Sequence, residues 1–134
     1  MRLTSKKMVL GPLLILASCH SAQALYVIDG DTIKDGQERM RLLRIDAPET
    51  HKPRCKEEKV KGLEATYTLR RWVKEAKKLE VVDSGKRDKY GRSLVDLKVD
   101  GQDVGEELIK SGLAVTWKPG SKAWLARRKH WCGF

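Results

Sequence analysis

Two Asp-Gly pairs, Asp29-Gly30 and Asp35-Gly36, cut the first half of the chain into very short β-prone runs. Tyr26-Val27-Ile28, Asp31 to Lys34 and Met40 to Ile45 cannot stand alone, so they must pair through tight turns and close over an apolar partner. That partner follows a polar loop bracketed by Pro48 and Pro53. Val60, Leu63, Leu69, Trp72, Val73 and Ala76 recur at helical spacing, which predicts one amphipathic helix over 57–76. Leu79 to Val82 reads as a fourth strand, ended by Ser84-Gly85. Ser93 to Val99 alternates with period two as a fifth, closed by Asp100-Gly101. Asp103, with Glu106 three residues later, is a capping pattern for a short second helix that Gly112 stops. Leu113-Ala114-Val115 then returns toward the sheet. This order predicts an α+β, mainly β fold: a small five-stranded Greek-key barrel of the OB type, with a long helix after the third strand.

At 134 residues the chain has room for one such unit. Its 40% hydrophobic and 34% charged residues exclude a disordered chain and a polytopic membrane protein. Residues 1–24 stand apart. They hold no acid, Arg2, Lys6 and Lys7 precede an apolar run from Met8 to Ala17, and Ala22-Gln23-Ala24 has the form of a signal-peptidase site. A removed signal peptide over 1–24 and one domain over 25–134 are expected, in a secreted or periplasmic protein. Two other readings stay open: Leu16-Ala17-Ser18-Cys19 also has the form of a lipobox, which would anchor the protein through a lipidated Cys19, and the segment could be a buried helix. Beyond the leader, Cys55 and Cys132 are the two cysteines left. In an oxidising compartment they are expected to form a disulfide, with free or intermolecular thiols as the alternative.

Lys and Arg number 28 against 18 acids, a formal charge of +10, which suits a polyanionic partner such as nucleic acid. Yet this basic chain gathers Asp29, Asp31, Asp46 and Glu49 near predicted strand ends. Carboxylates repel phosphate, so a chain that only bound nucleic acid would gain little from them. Beside phosphate they make sense with a divalent cation between, and oxygen donors suit Ca²⁺, or Mg²⁺ with more retained water. The informative stretches are Ile28-Asp29-Gly30-Asp31-Thr32, Arg41 to Thr50, and Asp88-Lys89-Tyr90-Gly91-Arg92. Taken one at a time, their residues read equally well as turn formers or surface charges.

Together and in this order, the three stretches resemble the staphylococcal nuclease (thermonuclease) family. Further matches are Lys61-Gly62-Leu63-Glu64-Ala65, Ala76 to Val81 and the segment Val104 to Ala114. The resemblance implies an OB-fold enzyme that hydrolyses DNA and RNA phosphodiesters with Ca²⁺ and little sequence preference. It implies that Asp31 and Asp46 are carboxylate ligands of the cation, and that Ala47 is a ligand through its backbone carbonyl. Glu49 would orient or deprotonate the attacking water. Arg41 and Arg92 would hold the phosphate and the extra charge of the transition state, since a guanidinium donates two parallel hydrogen bonds. Lys89 and Tyr90 would contact a terminal phosphate of the nucleotide. Asp29 is expected to shape the turn.

Departures from the family pattern lie toward the end of the chain. Ser121 to Phe134 stands where the staphylococcal enzyme has a long C-terminal helix, and a Cys55–Cys132 link would tie this tail to the loop before the long helix. The family's tyrosine beside the nucleotide has no clear counterpart, Trp117 being the nearest aromatic. The protein is expected to act as a monomer without a small-molecule cofactor, and to meet a membrane only if Cys19 is lipidated. The alternatives are a catalytically inactive OB module for single-stranded nucleic acid and an envelope lipoprotein. Mass spectrometry of the exported protein is expected to find Leu25 at its N-terminus; a diacylglyceryl group on Cys19 would establish the lipoprotein instead.

Overall fold

In the computed structural model, which describes residues 25–134, both Asp-Gly pairs make strand-to-strand turns. The leader, its cleavage after Ala24 and the lipobox cysteine Cys19 lie outside the described residues. β1 (Tyr26–Asp29), β2 (Thr32–Asp35) and β3 (Glu38–Leu42) form an antiparallel meander. Gly30 is needed for space. A Cβ there would stand 2.7 Å from the Ala47 Cβ and 2.9 Å from the Ala65 Cβ, so the first turn lies hard against loop and helix.

The third strand stops earlier than expected. Arg44 takes a φ of 66°, the chain turns, and β4 (Ile45–Asp46) pairs with β8 (Val115–Thr116) as a separate two-stranded sheet. Parity explains the break. Met40, Leu42 and Ile45 are all buried, and a continuous strand would place Ile45 on the face opposite the other two.

α1 (Lys56–Glu75) matches the predicted span to within one residue at each end. Its phase differs from the expectation. Glu58, Gly62, Ala65, Thr66 and Leu69 are buried, with Trp72 and Val73 packed against the core, whereas Val60 and Leu63 are 56% and 38% exposed. Small residues face inward because other backbone comes so close. A Cβ on Gly62 would meet the Pro48 carbonyl oxygen at 2.6 Å and the Thr50 Cγ2 at 2.8 Å.

β5 (Leu79–Arg87) runs through Ser84-Gly85, where an end was expected. Its register against β6 (Ser93–Val99) shifts between Asp83 and Arg87, and the Ser84 hydroxyl donates to the Leu94 carbonyl at 2.6 Å. The Ser-Gly pair therefore makes an irregularity within the strand. The main sheet has the order β1-β2-β3-β6-β5, with β3 and β6 parallel and β7 (Gln102–Asp103) paired to β6. α2 (Val104–Lys110) begins as its capping pattern predicts, Asp103 accepting the Glu106 N–H at 2.9 Å.

α3 (Ser121–Cys132) forms where no helix was predicted. It buries only Trp131 and leaves Trp124 and Leu125 exposed, so its sequence shows no apolar stripe. The link from Cys132 to Cys55, the α1 N-cap, ties it down. Closing that 77-residue separation is worth about 4–5 kcal/mol in the chain-entropy model. With α3 the helices take as large a share of the chain as the strands, so "mainly β" becomes α+β with three helices and a mixed sheet. The core includes Ile33, Leu42 and Leu97 from the strands, Leu69 from α1 and Leu108 from α2.

A glycine-to-alanine change inside a helix normally stabilises by roughly 0.5–1 kcal/mol. Gly62→Ala is expected to reverse that sign and to destabilise by about 1–3 kcal/mol, because the Pro48 backbone must move. Urea unfolding decides the sign; a more stable variant would disprove the close packing of loop on helix.

Candidate active site: a carboxylate cluster facing a basic groove

In a straight strand, residues five apart lie roughly 17 Å from each other and on opposite faces. The turn at Arg44 brings Arg41 and Asp46 together instead. Arg41 Nη2 donates to Asp46 Oδ1 at 2.9 Å and lies 3.4 Å from Asp31 Oδ2, while Nη1 donates to the Ile45 carbonyl at 2.9 Å. Asp31 accepts the Thr32 hydroxyl at 3.0 Å and the Ala47 N–H at 3.1 Å. Asp29 accepts the Asp31 N–H at 3.1 Å and so shapes the turn, as its sequence context suggests.

Glu49 is placed by its backbone. Its N–H points to the carboxylate of Glu58 at 3.4 Å, and the same carboxylate accepts the Arg54 N–H at 2.6 Å and the Arg54 guanidinium, with Nε at 3.0 Å. Glu58 has no exposed surface. Burial alone would raise its pKa, but the hydrogen bonds from Arg54 and Glu49 hold it below the usual carboxylate range. Glu49, Asp29 and Asp46 move the opposite way. Glu49, although exposed at the groove, is pushed up to about 7 by partial loss of solvation and then by the charges of Asp31, Asp29 and Asp46. Asp29 is pushed up to about 6, first by burial and next by Asp31. Asp46 is also raised, by burial and Asp31, against the opposing pull of Arg127 and Arg41.

The third predicted stretch forms its own clamp. Asp88 accepts the backbone N–H of Tyr90 at 2.9 Å and that of Arg92 at 3.0 Å, and it takes Arg92 Nε at 2.7 Å. Lys89 and Arg92 both lie over the Tyr90 ring, at 5.0 and 5.6 Å from its centroid. Arg41, Glu49, Lys89, Tyr90 and Arg92 line one open groove, together with Arg87, Trp117, Lys118 and Arg127. Asp31, Asp46 and Ala47 sit beside it, joined to it through Arg41. Arg41, Glu49, Lys89, Tyr90 and Arg92 thus share one groove, with Asp31 and Asp46 reached through Arg41, whereas Cys55 and Cys132 lie apart as a disulfide.

Its oxygen donors fit a hard divalent cation. Asp31, Asp46 and Glu49 offer carboxylates; the charge of Asp31 opposes the ionisation of the other two, and a bound cation would relieve that opposition. Sequence reasoning missed Glu58, Arg54 and Arg127, and it gave Asp88 no role within its stretch. Asp88 and Arg92, and likewise Arg54 and Glu58, are four residues apart, a spacing that offers a weak signal. Arg127 gave none: its Nε lies 2.9 Å from Asp46 Oδ2, a partner far away in the chain.

A family model described as Staphylococcal nuclease homologue matches residues 39–129. That span holds Arg41, Asp46, Ala47, Glu49, Lys89, Tyr90 and Arg92, whereas Asp31 lies just before it. Over 103 residues the chain is 39% identical to Endonuclease YncB of Bacillus subtilis (strain 168), a match covering 71% of this chain and 48% of the relative. It is 39% identical over 92 residues to the Thermonuclease of Staphylococcus intermedius, covering 66% of this chain and 54% of that protein. The Thermonuclease of Staphylococcus hyicus is 35% identical over 96 residues, covering 69% and 56%. The chain thus spans about half the length of these relatives. With most of its described fold, from β3 through α3, inside the family match, the chain belongs to the staphylococcal nuclease homologue family.

Proposed function

We propose that this chain is an exported, Ca²⁺-dependent nuclease that hydrolyses phosphodiester bonds of DNA and RNA with little sequence preference. The observation that carries the reading is the meeting of opposite charges. Carboxylates of Asp31, Asp46 and Glu49 gather at a groove that also presents the guanidiniums of Arg41 and Arg92. Phosphate attracts the second set and repels the first, and only a reaction at phosphorus with a cation present uses both. The relatives' names, endonuclease and thermonuclease, support the same reaction class. On this reading the mixed sheet and the β4–β8 pair are the two sides of a five-stranded Greek-key barrel of the OB type. The acid-free leader and the Cys55–Cys132 link support export.

Asp31, Asp46 and the backbone carbonyl of Ala47 would hold the Ca²⁺, which supplies Lewis acidity toward a phosphoryl oxygen. Glu49 takes the proton of the attacking water, a task its raised pKa suits once the carboxyl is ionised. Arg41 and Arg92 donate to phosphate oxygens and offset the charge that builds as the new P–O bond forms. Asp88 holds Arg92 by Nε and so orients its fork. Lys89 and Tyr90, at the groove wall, receive a terminal phosphate of the substrate.

DNA incubated with the purified protein is expected to be cut with Ca²⁺ and spared with chelator; binding without cleavage in Ca²⁺ would select the inactive module. Arg41→Lys and Arg92→Lys are each expected to lower kcat about 10²-fold or more, with KM for long DNA moving far less. Charge is kept in both variants, so the loss reports fork geometry. Near-parental kcat in both would reduce the two arginines to surface charges.

The raised acids set a pH dependence for the cation-free protein. Glu49 and Asp29, at about 7 and about 6, keep protons in the folded state that an unfolded chain, with pKa values of 4.5 and 3.8, has already released. The folded state therefore binds more protons between pH 5 and 8, and stability must fall as pH rises across that window. Glu58 works the other way, its contribution being lost only as pH drops below the usual carboxylate range. In chelator the melting temperature is expected to be lower at pH 8 than at pH 5, and Glu49→Gln to reduce the difference. A rise between the two pH values contradicts the assignment.

A further inference from the structure

Arg127 is the point where α3 reaches the carboxylate cluster. Its Nε stands 2.9 Å from Asp46 Oδ2, while Arg41 Nη2 stands 2.9 Å from Asp46 Oδ1. Both oxygens of Asp46 are thus held by guanidiniums. The side chains of Arg127 and Asp46 are each only 15% exposed, so water and salt screen this pair far less than a surface ion pair.

α3 has little apolar reason to lie where it does, since Trp131 is its one buried residue. Specific ties hold it. The Cys55–Cys132 bond fixes its last turn to the start of α1. Arg54 stacks over Trp124 with 5.5 Å to the ring centroid. Arg127 itself donates through Nη1 to the Lys118 carbonyl at 2.9 Å. The result is a guanidinium delivered to a carboxylate from the far end of the chain.

We propose that Arg127 is a tethered counter-ion that competes with the divalent cation for Asp46, and that the Cys55–Cys132 bond, by holding α3 in place, raises the cation concentration the site requires. The inference rests on the reading of Asp46 as a cation ligand given above. A Ca²⁺ bound to a carboxylate oxygen stands about 2.3–2.6 Å from it. A guanidinium hydrogen-bonded to the same carboxylate offsets part of the negative charge that attracts the cation, and the cation's charge repels the guanidinium, so each weakens the hold of the other. In the cation-free protein Arg127 supplies positive charge beside the partly buried carboxylate of Asp46. Once displaced it remains at the groove it already lines with Arg41 and Arg92.

Competition and bracing predict opposite signs. A side chain that merely braced Asp46 would, on removal, leave a looser ligand and weaker cation binding. A competitor, on removal, leaves a more negative and more accessible site. The test is calorimetric titration of the full exported chain with Ca²⁺ alone, with no nucleic acid present. Arg127→Gln is expected to bind Ca²⁺ about fivefold or more tightly than the parent, because the site gains net negative charge. Arg127→Lys, which keeps the charge, is expected to lie closer to the parent.

The Cys55→Ser/Cys132→Ser variant keeps a hydroxyl to cap α1 and is expected to shift binding in the same direction. Adding Arg127→Gln to it should bring little further gain, since both changes remove the same competitor. Thermal melts confirm that each variant is folded at the titration temperature, and Arg127→Gln carries the test if the serine variant is not. Unchanged or weaker Ca²⁺ binding by folded Arg127→Gln overturns the counter-ion role and leaves the cation site standing. A parent chain that binds no Ca²⁺ overturns the cation reading itself, and this inference with it.

Discussion

The carboxylate of Glu58 lies under the loop that carries Glu49, with no surface open to water. Burying a charge is tolerable only when its lone pairs are filled, and here the loop itself fills them. The N–H groups of Glu49 and Arg54 and the Arg54 guanidinium all converge on this one group. Removing one partner of such a buried pair typically costs about 3–5 kcal/mol, because the other charge is left uncompensated. The site depends on it in a concrete way. Glu58 holds the backbone of Glu49, Cys55 just before it caps α1 and ties α3, and Arg54 stacks on Trp124 of that helix.

Around this anchor the site interleaves charges. Asp31 and Asp46 face Arg41, Asp46 also faces Arg127, Asp88 holds Arg92, and Glu58 holds Arg54. Arginine suits each place because its planar fork can satisfy a carboxylate and a neighbouring carbonyl together, as Arg41 does with Asp46 and Ile45. Glu49 makes no ion pair among the described residues, and loss of solvation, followed by the surrounding acids, pushes its pKa up to about 7. Asp46 is raised as well, although Arg127 and Arg41 pull the other way.

Close approach of backbones supplies the precision. Gly30 lets the β1–β2 turn touch Ala47 and Ala65, and Gly62 lets the 47–50 loop rest on α1. The close contact at either glycine is invisible in the sequence. Gly30 reads as an ordinary turn residue, and Gly62 as a weak spot in a helix. The apolar periodicity of α1 was legible and holds at Leu69, Trp72 and Val73, but in the first half of the helix the inward positions are small and the larger Val60 and Leu63 face solvent. Likewise the third strand was legible and its end was not, since the positive φ of Arg44 has no glycine to announce it.

The chain alone determined what short-range chemistry controls. Asp-Gly turns, the Asp103 cap, the α1 span and the period-two strand Ser93 to Val99 follow from interactions within a few residues of each other, and the three motif stretches pointed to one constellation of acids and arginines. Tertiary structure alone decided what long-range pairing controls: that β4 leaves the main sheet to join β8, that α3 exists at all, and that Arg127 lies on Asp46. An isolated α3 has no apolar stripe and no side-chain cap to favour it, and its helix is held by a disulfide, a stacked arginine and an ion pair to distant parts of the chain. Interactions of that kind leave no periodic trace in a sequence, because they depend on which residues the folded backbone brings together.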